Sequence, residues 1–218
     1  MTNDDSPGNP HLCGMYWHRN PSWFDRLWPG YVWHRRTGEK VLYLTFDDGP
    51  TPEVTPWVLS VLETYGARAT FFCVGDNIRK HPGVFAQVRA AGHTVGNHTF
   101  NHLNGWQTDL DTYLQNTAHC QQYLGGTPGL FRPPHGRMTR RQAAVLRRDY
   151  QLVMWDVLSG DFDRRLPPET CLRNTVRGAR SGSIIVFHDS LKARPSLEYA
   201  LPRFVRHFAD QGYAFKGL

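Results

Sequence analysis

Two short segments of the sequence carry side chains whose types and spacing suit metal chemistry. Asp47 and Asp48 are adjacent carboxylates after an apolar run, and two such carboxylates repel each other unless a cation or a proton separates them. His98 and His102 are four residues apart, a spacing that lets two imidazoles bind one metal ion if the segment coils. Two imidazoles and one carboxylate form a ligand set with open positions for water and substrate. Together the two segments predict a site for one divalent metal ion.

Alternating elements of an α/β fold are needed to bring these segments together. From residue 40 onward, short apolar runs alternate with longer amphipathic segments, a pattern that indicates parallel strands wrapped by helices. The apolar runs that predict strands cover residues 41–46, 69–74, 93–97, 152–155 and 183–187, with weaker candidates at 130–131 and 213–215. The segments of helical length cover residues 54–65, 76–91, 109–124, 140–149, 168–179 and 196–209.

Ionisable residues follow most of the predicted strands. Asp48, His98, Arg132 and His188 each come at or just after the end of such a run, and the acidic stretch 156–161 follows another. In parallel α/β folds the chemistry lies at the carboxyl ends of the strands, which meet at one face. This arrangement predicts one site assembled from several loops.

Five short motifs in this order resemble those of the polysaccharide deacetylase family, the family 4 carbohydrate esterases, which includes chitin, chitooligosaccharide and peptidoglycan deacetylases. The motifs are Thr-Phe-Asp-Asp-Gly at 45–49, His-Thr-x-x-His at 98–102, Arg-Pro-Pro-His-Gly at 132–136, the stretch 156–162 and Phe-His-Asp at 187–189. The resemblance runs from about residue 39 to the last residue. It implies an α/β fold, a distorted (β/α)7-type barrel in a single domain.

The resemblance also implies a metal centre and an N-acetylated carbohydrate as the substrate. Asp48, His98 and His102 would hold one divalent ion, expected to be zinc, although cobalt, nickel or iron could replace it. The reaction would release acetate and a free amine from an amino-sugar polymer or oligomer, by attack of a metal-bound water.

Four further side chains and one backbone group receive roles from the same resemblance. Asp47 would be the general base, and Arg132 would pair with it and keep it ionised. His188 would be the general acid that protonates the leaving amine, and Asp161 would hold His188 in its protonated form. The backbone N–H of His135 would help to stabilise the oxyanion.

Three positions depart from the family's usual pattern. His135 stands where the family often has Tyr, Phe162 where it has Trp, and Phe187 where it has Leu. These positions belong to the substrate pocket in the family, and the two phenylalanines are expected to line the space for the acetyl methyl group. The departures bear on substrate fit and not on the reaction.

Other functions are compatible with parts of this pattern. An O-acetyl esterase acting on xylan-like polymers, or a hydrolase of a small N-acyl compound, would use the same fold. A catalytically silent carbohydrate-binding module would typically lack the base or a metal ligand, whereas this chain keeps every ionisable member. The formal net charge is +6, and no Lys/Arg stretch forms a compact patch, so nucleic acid is not expected as a partner.

The first part of the chain has a different composition from the rest. Residues 1–38 are interpreted as a polar tail followed by an aromatic-rich arm at 15–36 that packs on the barrel, and residues 39–218 as the catalytic domain. No apolar stretch has the length of a secretion signal or a membrane span, so the chain is expected to be cytoplasmic unless a signal has been removed. The four cysteines form no metal or redox motif.

Overall fold

Nine strands and eight α-helices alternate along the chain in this computed structural model, which describes residues 18–21 and 23–218. The strands are β1 (Tyr31–Val32), β2 (Val41–Asp47), β3 (Ala69–Cys73), β4 (Thr94–Asn97), β5 (Leu130–Phe131), β6 (Gln151–Val153), β7 (Val157–Leu158), β8 (Ile184–His188) and β9 (Ala214–Phe215). The helices are α1 (Phe24–Leu27), α2 (Thr55–Thr64), α3 (Gly75–Lys80), α4 (Pro82–Ala90), α5 (Leu110–Leu124), α6 (Arg140–Leu146), α7 (Pro168–Gly178) and α8 (Arg194–Ala209).

The strands pair in parallel in the order β1-β6-β5-β4-β3-β2-β8-β7, with β9 beside β2. Strands β6 and β7 lie near opposite ends of this order, yet only residues 154–156 separate them in the chain. The sheet must therefore curl until its two edges approach each other. This topology confirms the distorted (β/α) barrel that the sequence predicts.

The described part of the N-terminal region lies along the bend between β6 and β7. The backbone N–H of Asn20 donates to the carbonyl of Asp156 at 2.9 Å, and its side-chain amide donates to the carbonyl of Trp155 at 2.7 Å. The carbonyl of Val32 accepts from the N–H of Met154 at 2.8 Å. The boundary at residue 38 stays a prediction, and the arm's first aromatic residues, Tyr16 and Trp17, lie outside the described residues.

One predicted helix is in fact two. The sequence predicts a single helix over 76–91, but α3 ends at Lys80 and α4 begins at Pro82. Proline is favourable in the first turn of a helix and unfavourable inside one, because its ring blocks the preceding hydrogen bond. Of the helices in the part of the chain that the structure describes, none combines the length and apolar character needed to span a bilayer.

Alternate side chains of each strand point into the barrel or outward beneath the helices, as the pleat requires. In β8, Val186 and His188 face the inner cavity, whereas Phe187 is fully buried on the outer side. There its ring packs against Phe46 of β2, with centroids 6.2 Å apart, and against Phe204 of α8, at 5.9 Å. The outer layer between strands β2, β3 and β8 and the surrounding helices is the main hydrophobic core.

Replacing Phe187 should therefore affect the stability of the fold. Phe187→Ala removes a fully buried ring from this outer core, and we expect the free energy of unfolding to fall by about 3–5 kcal/mol. Equilibrium denaturation in urea measures the change. The control Leu191→Ala alters a side chain that is 58% exposed and should change stability by less than about 0.5 kcal/mol. A loss below about 1 kcal/mol for Phe187→Ala would contradict its placement in the core.

Candidate active site

The register of the two central strands places an acid and a histidine side by side. Asp47 of β2 is the partner of His188 of β8 in the parallel ladder, and both side chains face the inner cavity. Asp48 follows the strand with φ of 82°, in the left-handed region that a non-glycine residue rarely adopts. This turn directs the second carboxylate to the same cavity as the first.

A buried carboxylate behind this turn fixes its shape. One oxygen of Asp189 accepts from the N–H of Gly49 at 3.0 Å, and the other accepts from the hydroxyl of Thr55 at 2.5 Å. A Cβ atom at Gly49 would overlap the Asp189 carboxylate, so only glycine fits here. Burial raises the pKa of Asp189 to about 7. Asp189 thus supports the turn that carries Asp48 and does not itself line the cavity.

Asp48, His98 and His102 form a cluster whose potential ligand atoms all lie within 4.8 Å of one another. Oδ1 of Asp48 is 3.2 Å from Nε2 of His102 and 3.9 Å from Nε2 of His98. Burial tends to raise the pKa of Asp48, but the hydrogen bond from His102 and the nearby histidine charges together lower it below its ordinary value. An ionised carboxylate and two imidazoles at this spacing fit one divalent cation after small side-chain adjustments.

The protonation of His98 also suits a metal ligand. Its Nδ1 lies 2.7 Å from the carbonyl oxygen of Arg132, which can only accept a hydrogen bond, so Nδ1 carries the proton. Nε2 therefore presents its lone pair toward Asp48 and His102. Burial lowers the pKa of His98 to about 4, which keeps the imidazole neutral. A hydrogen bond from the second ring nitrogen to a carbonyl is the usual way in which proteins orient a metal-binding histidine.

The segment 98–102 brings its two histidines together without a helix. The backbone is irregular, with positive φ at Thr99 (63°) and His102 (56°), and the Thr99 N–H donates to the side-chain oxygen of Asn97 at 2.9 Å. The two imidazoles lie close together as predicted, with ring centroids 5.0 Å apart. A tight backbone turn, and not a turn of helix, brings them together.

Arg132 is completely buried inside the barrel and pairs with Asp47. Its Nη1 donates to Oδ1 of Asp47 and to the hydroxyl oxygen of Thr45, both at 2.7 Å. Its remaining donors reach the carbonyls of Met154 at 2.8 Å and Val153 at 3.4 Å. Each of the three guanidinium nitrogens thus has at least one acceptor, and the group fixes one oxygen of Asp47 while the carboxylate borders the cavity.

His188 is hydrogen-bonded to Asp161 through two groups. Its Nδ1–H donates to Oδ1 of Asp161 at 2.7 Å, and its backbone N–H donates to Oδ2 at 2.8 Å. Burial opposes the charged imidazolium, but the negative charge and the hydrogen bond of Asp161 outweigh burial and raise the pKa of His188 to about 9. The imidazole is therefore protonated at neutral pH, with its Nε2 free of this bond.

A cavity of about 600 Å³ joins these groups. It is lined by Asp47, Asp48, His98, His102, His135, Gly136, Arg137, Trp155, Leu158, Phe162, Val186, His188 and Lys192. Phe162 lies edge-on to His188, with ring centroids 5.1 Å apart, as expected for a wall of the pocket. Arg132 and Asp161 contact the cavity residues from behind and do not line it.

The expectation that Phe187 lines this cavity is wrong. Successive residues of a strand face opposite sides, and because His188 faces inward, Phe187 must face outward. Its place in the wall is taken by Val186, with Leu158 and Trp155 from the bend region. Sequence reasoning missed these three residues, although the alternation along β8 signals Val186. No motif signals Arg137 or Lys192, which also border the cavity.

Asp156 lies away from the chemistry. Its carboxylate accepts from the hydroxyl of Ser183 at 2.6 Å and lies within 4 Å of the guanidinium groups of Arg19 and Arg180. It therefore ties the bend region to the start of β8 and does not reach the cavity.

Comparison with known proteins agrees with this arrangement. The profile of the polysaccharide deacetylase family matches residues 34–152. A peptidoglycan-N-acetylglucosamine deacetylase of Bacillus cereus is 35% identical over 192 residues, which cover 85% of this chain and 90% of that protein. A chitooligosaccharide deacetylase of Azorhizobium caulinodans is 33% identical over 155 residues, which cover 68% of this chain and 73% of that protein.

Solved structures show the same fold. The crystal structure of a peptidoglycan N-acetylglucosamine deacetylase in complex with 4-naphthalen-1-yl-N-oxidanyl-benzamide superposes with a TM-score of 0.82 and 27% identity, covering 91% of this chain and 95% of that chain. The family profile, the relatives and the barrel all agree with the five ordered motifs. This chain belongs to the polysaccharide deacetylase family.

Proposed function

We propose that this protein is a metal-dependent hydrolase that removes N-acetyl groups from an amino-sugar polymer or oligomer. One observation carries the proposal: the Asp48, His98 and His102 cluster opens into the same cavity as an oriented carboxylate, Asp47, and a protonated imidazole, His188. Relatives that act on peptidoglycan and on chitooligosaccharides support an N-acetylated carbohydrate as the substrate.

Asp48, His98 and His102 are the residues that would hold one divalent ion. Nitrogen and oxygen ligands of this kind suit zinc, and they also accept cobalt, nickel or iron. A cation bound there would supply Lewis-acid activation of water and of the acetyl carbonyl.

Asp47 and His188 would transfer the protons of the reaction. Asp47, held by Arg132, takes a proton from the attacking water as the water oxygen bonds to the acetyl carbon. The carbon–nitrogen bond then breaks, and His188 gives its proton to the departing nitrogen. The products are acetate and a free amine: the second water proton stays on the acetic acid, which releases it to solvent. Proton exchange with solvent then returns Asp47 to the carboxylate and His188 to the imidazolium. His135 lines the cavity with a backbone φ of 58°, and its backbone N–H would bind the developing oxyanion.

The protonation state of His188 favours an amide substrate over an O-acetyl ester. An amine must be protonated to leave, whereas an alcohol leaving group depends less on a strong proton donor. Asp161 keeps His188 charged at neutral pH, which is the form that amide cleavage needs. O-acetyl ester hydrolysis at the same site is the second candidate function. Comparing acetate release from amino sugars and from acetylxylan separates the two.

Acetate release tests the proposed function. We expect the protein, loaded with zinc or cobalt, to release acetate from chitooligosaccharides or peptidoglycan fragments faster than from acetylxylan or small N-acetyl compounds. Asp47→Asn should lower kcat by about 10²-fold or more, because the base is lost while the cluster remains. Faster release from acetylxylan than from every amino sugar would contradict N-deacetylation.

Removing a cluster residue should remove the metal. We expect about one divalent ion per wild-type chain and a loss of affinity of at least roughly 100-fold in His102→Ala or Asp48→Ala, since each supplies one of three protein ligands. Elemental mass spectrometry after dialysis measures the content and identifies the metal. His207→Ala, which changes an exposed histidine on α8, is the matched control. Retention of the full metal content in both cluster variants would contradict the assignment.

The pairing of His188 with Asp161 predicts a pH dependence. A general acid acts while protonated, so activity should be present below the pKa of His188, about 9, and lost as the pH rises through it. Asp161→Asn removes the negative charge and so lowers the pKa of His188. In the pH profile of kcat/KM, the fall on the alkaline side (the alkaline limb) should therefore occur about 1–3 pH units lower. Asp156→Asn, a buried carboxylate outside the cavity, should leave the limb in place. An unmoved limb in Asp161→Asn would contradict the role of the pair.

A further inference from the structure

An exposed tryptophan lies beside the catalytic cavity. Of the large hydrophobic side chains that the structure describes, Trp106 is the most exposed, at 65%. An indole ring offers a large apolar surface, and burying it is normally favourable. The ring makes no contribution to the three hydrophobic clusters of the described residues. Packing within the chain therefore does not explain its presence at this position.

The loop that carries Trp106 is held firmly in place. The buried side chain of Gln142 donates to the carbonyls of Gly105 at 3.0 Å and Thr108 at 2.9 Å, and the side-chain oxygen of Asn104 accepts from the Trp106 N–H at 3.0 Å. A Cβ atom at Gly105 would lie 2.6 Å from the carbonyl oxygen of Arg137, so the loop packs tightly on the segment after the third motif. The exposure of the ring is thus built into an ordered loop.

The orientation of the indole leaves its apolar surface available. Its Nε1–H donates to the carbonyl of Met138 at 3.2 Å, which satisfies the one polar group of the ring on the protein side. The guanidinium carbon of Arg137 lies 5.0 Å from the ring centroid, in cation–π contact. Arg137 also lines the catalytic cavity, so it links the exposed indole to the cavity wall.

The rim next to this ring is positively charged. Arg137 and Lys192 both border the cavity, and neither forms an ion pair within the part of the chain that the structure describes. The side-chain N–H groups of Arg137 are therefore available to bind a ligand. A guanidinium suits a carboxylate in particular, because its paired N–H groups match the two oxygens.

We propose that Trp106 and Arg137 form a second sugar subsite, next to the position of the sugar that loses its acetyl group. The apolar face of the neighbouring sugar stacks on the indole, and Arg137 binds a carboxylate that this sugar carries. The substrate class is then an amino-sugar oligomer of at least two units with acidic substituents, as in peptidoglycan strands. The position of the subsite and its kinetic test rest on the proposed deacetylase function, whereas oligosaccharide binding by Trp106 and Arg137 can be tested without it.

The kinetic test compares substrates of different length and charge. For the wild type, kcat/KM should be higher on the N-acetylglucosamine dimer than on the monomer, and Trp106→Ala should lower this ratio by about 3- to 10-fold, the usual scale of an aromatic contact. Trp106→Phe should lower it less. Trp28→Ala, which removes another exposed tryptophan, should leave the ratio unchanged.

The charge is tested separately with a peptidoglycan tetrasaccharide that contains muramic acid. Arg137→Gln should lower the preference for this substrate over the neutral tetramer by about 2- to 5-fold, the scale of an exposed ion pair, and the exposed Arg148→Gln should not. Equal ratios in wild type and Trp106→Ala, or an unchanged charge preference in Arg137→Gln, would overturn the subsite.

A binding measurement separates this inference from the proposed function. Calorimetry with the Asp47→Asn protein should give a Kd for the tetramer that rises about 3- to 10-fold when Trp106→Ala is added, whether or not any acetate is released by the wild type. An unchanged Kd would overturn the subsite, whereas a missing acetate signal with an intact difference in Kd would overturn only the deacetylase proposal.

Discussion

The buried ion pair between Arg132 and Asp47 is the interaction on which the rest of the site depends. Taking two charges out of water is costly, and the cost is offset only when every donor and acceptor has a partner. Each guanidinium nitrogen of Arg132 donates to a partner, among Asp47, Thr45 and two main-chain carbonyls, and the main-chain carbonyl of Arg132 accepts from His98. Arg132 thereby orients both the carboxylate beside the cavity and His98, a residue of the candidate metal site. Truncation of either side chain would leave the other charge buried and unpaired, whereas Asp47→Asn keeps an acceptor oxygen for Arg132.

The site obtains its precision from irregular backbone at strand ends. Asp48, Thr99, His102 and His135 all have positive φ without being glycine, a conformation that costs free energy and persists only where the surroundings impose it. Side chains at the ends of β8 and β4 supply part of that constraint. Asp189 accepts from the N–H of Gly49 in the turn after Asp48, and Asn97 accepts from the N–H of Thr99. Strained conformations of this kind are common at functional sites, and here three of the four residues, Asp48, His102 and His135, line one cavity.

The sequence allowed the alternation of elements and the convergence of ionisable residues at strand ends to be predicted, because both depend on local patterns. The family resemblance supplied roles for Asp47, Arg132, Asp161 and His188, and the structure brings these residues together, although their roles stay predictions. The position of Phe187 was predicted wrongly from the motif. Side chains alternate between the two faces of β8, and because His188 faces the cavity, Phe187 must face the outer core. The hydrogen bonds of Gln142 to Gly105 and Thr108, and those of Asp189 to Gly49 and Thr55, could not be predicted from the sequence, since these partners are distant in the chain. The exact bend at 154–156 depends on packing between strands that no local pattern encodes.

The bend between β6 and β7 gives the barrel its distortion, and it also supplies acceptors. In a regular parallel ladder, main-chain carbonyls are used by the adjacent strand. Where β6 leaves the ladder, the carbonyls of Val153 and Met154 turn instead to the guanidinium of Arg132. In a regular barrel of these strands, the two carbonyls would pair with a neighbouring strand. The Arg132 guanidinium would then lack these two acceptors in the barrel interior. The irregular closure of the barrel is thus what allows the Arg132 guanidinium to be buried at the centre of the fold. Without the bend, the side chain that orients Asp47 would have no acceptors for its remaining donors.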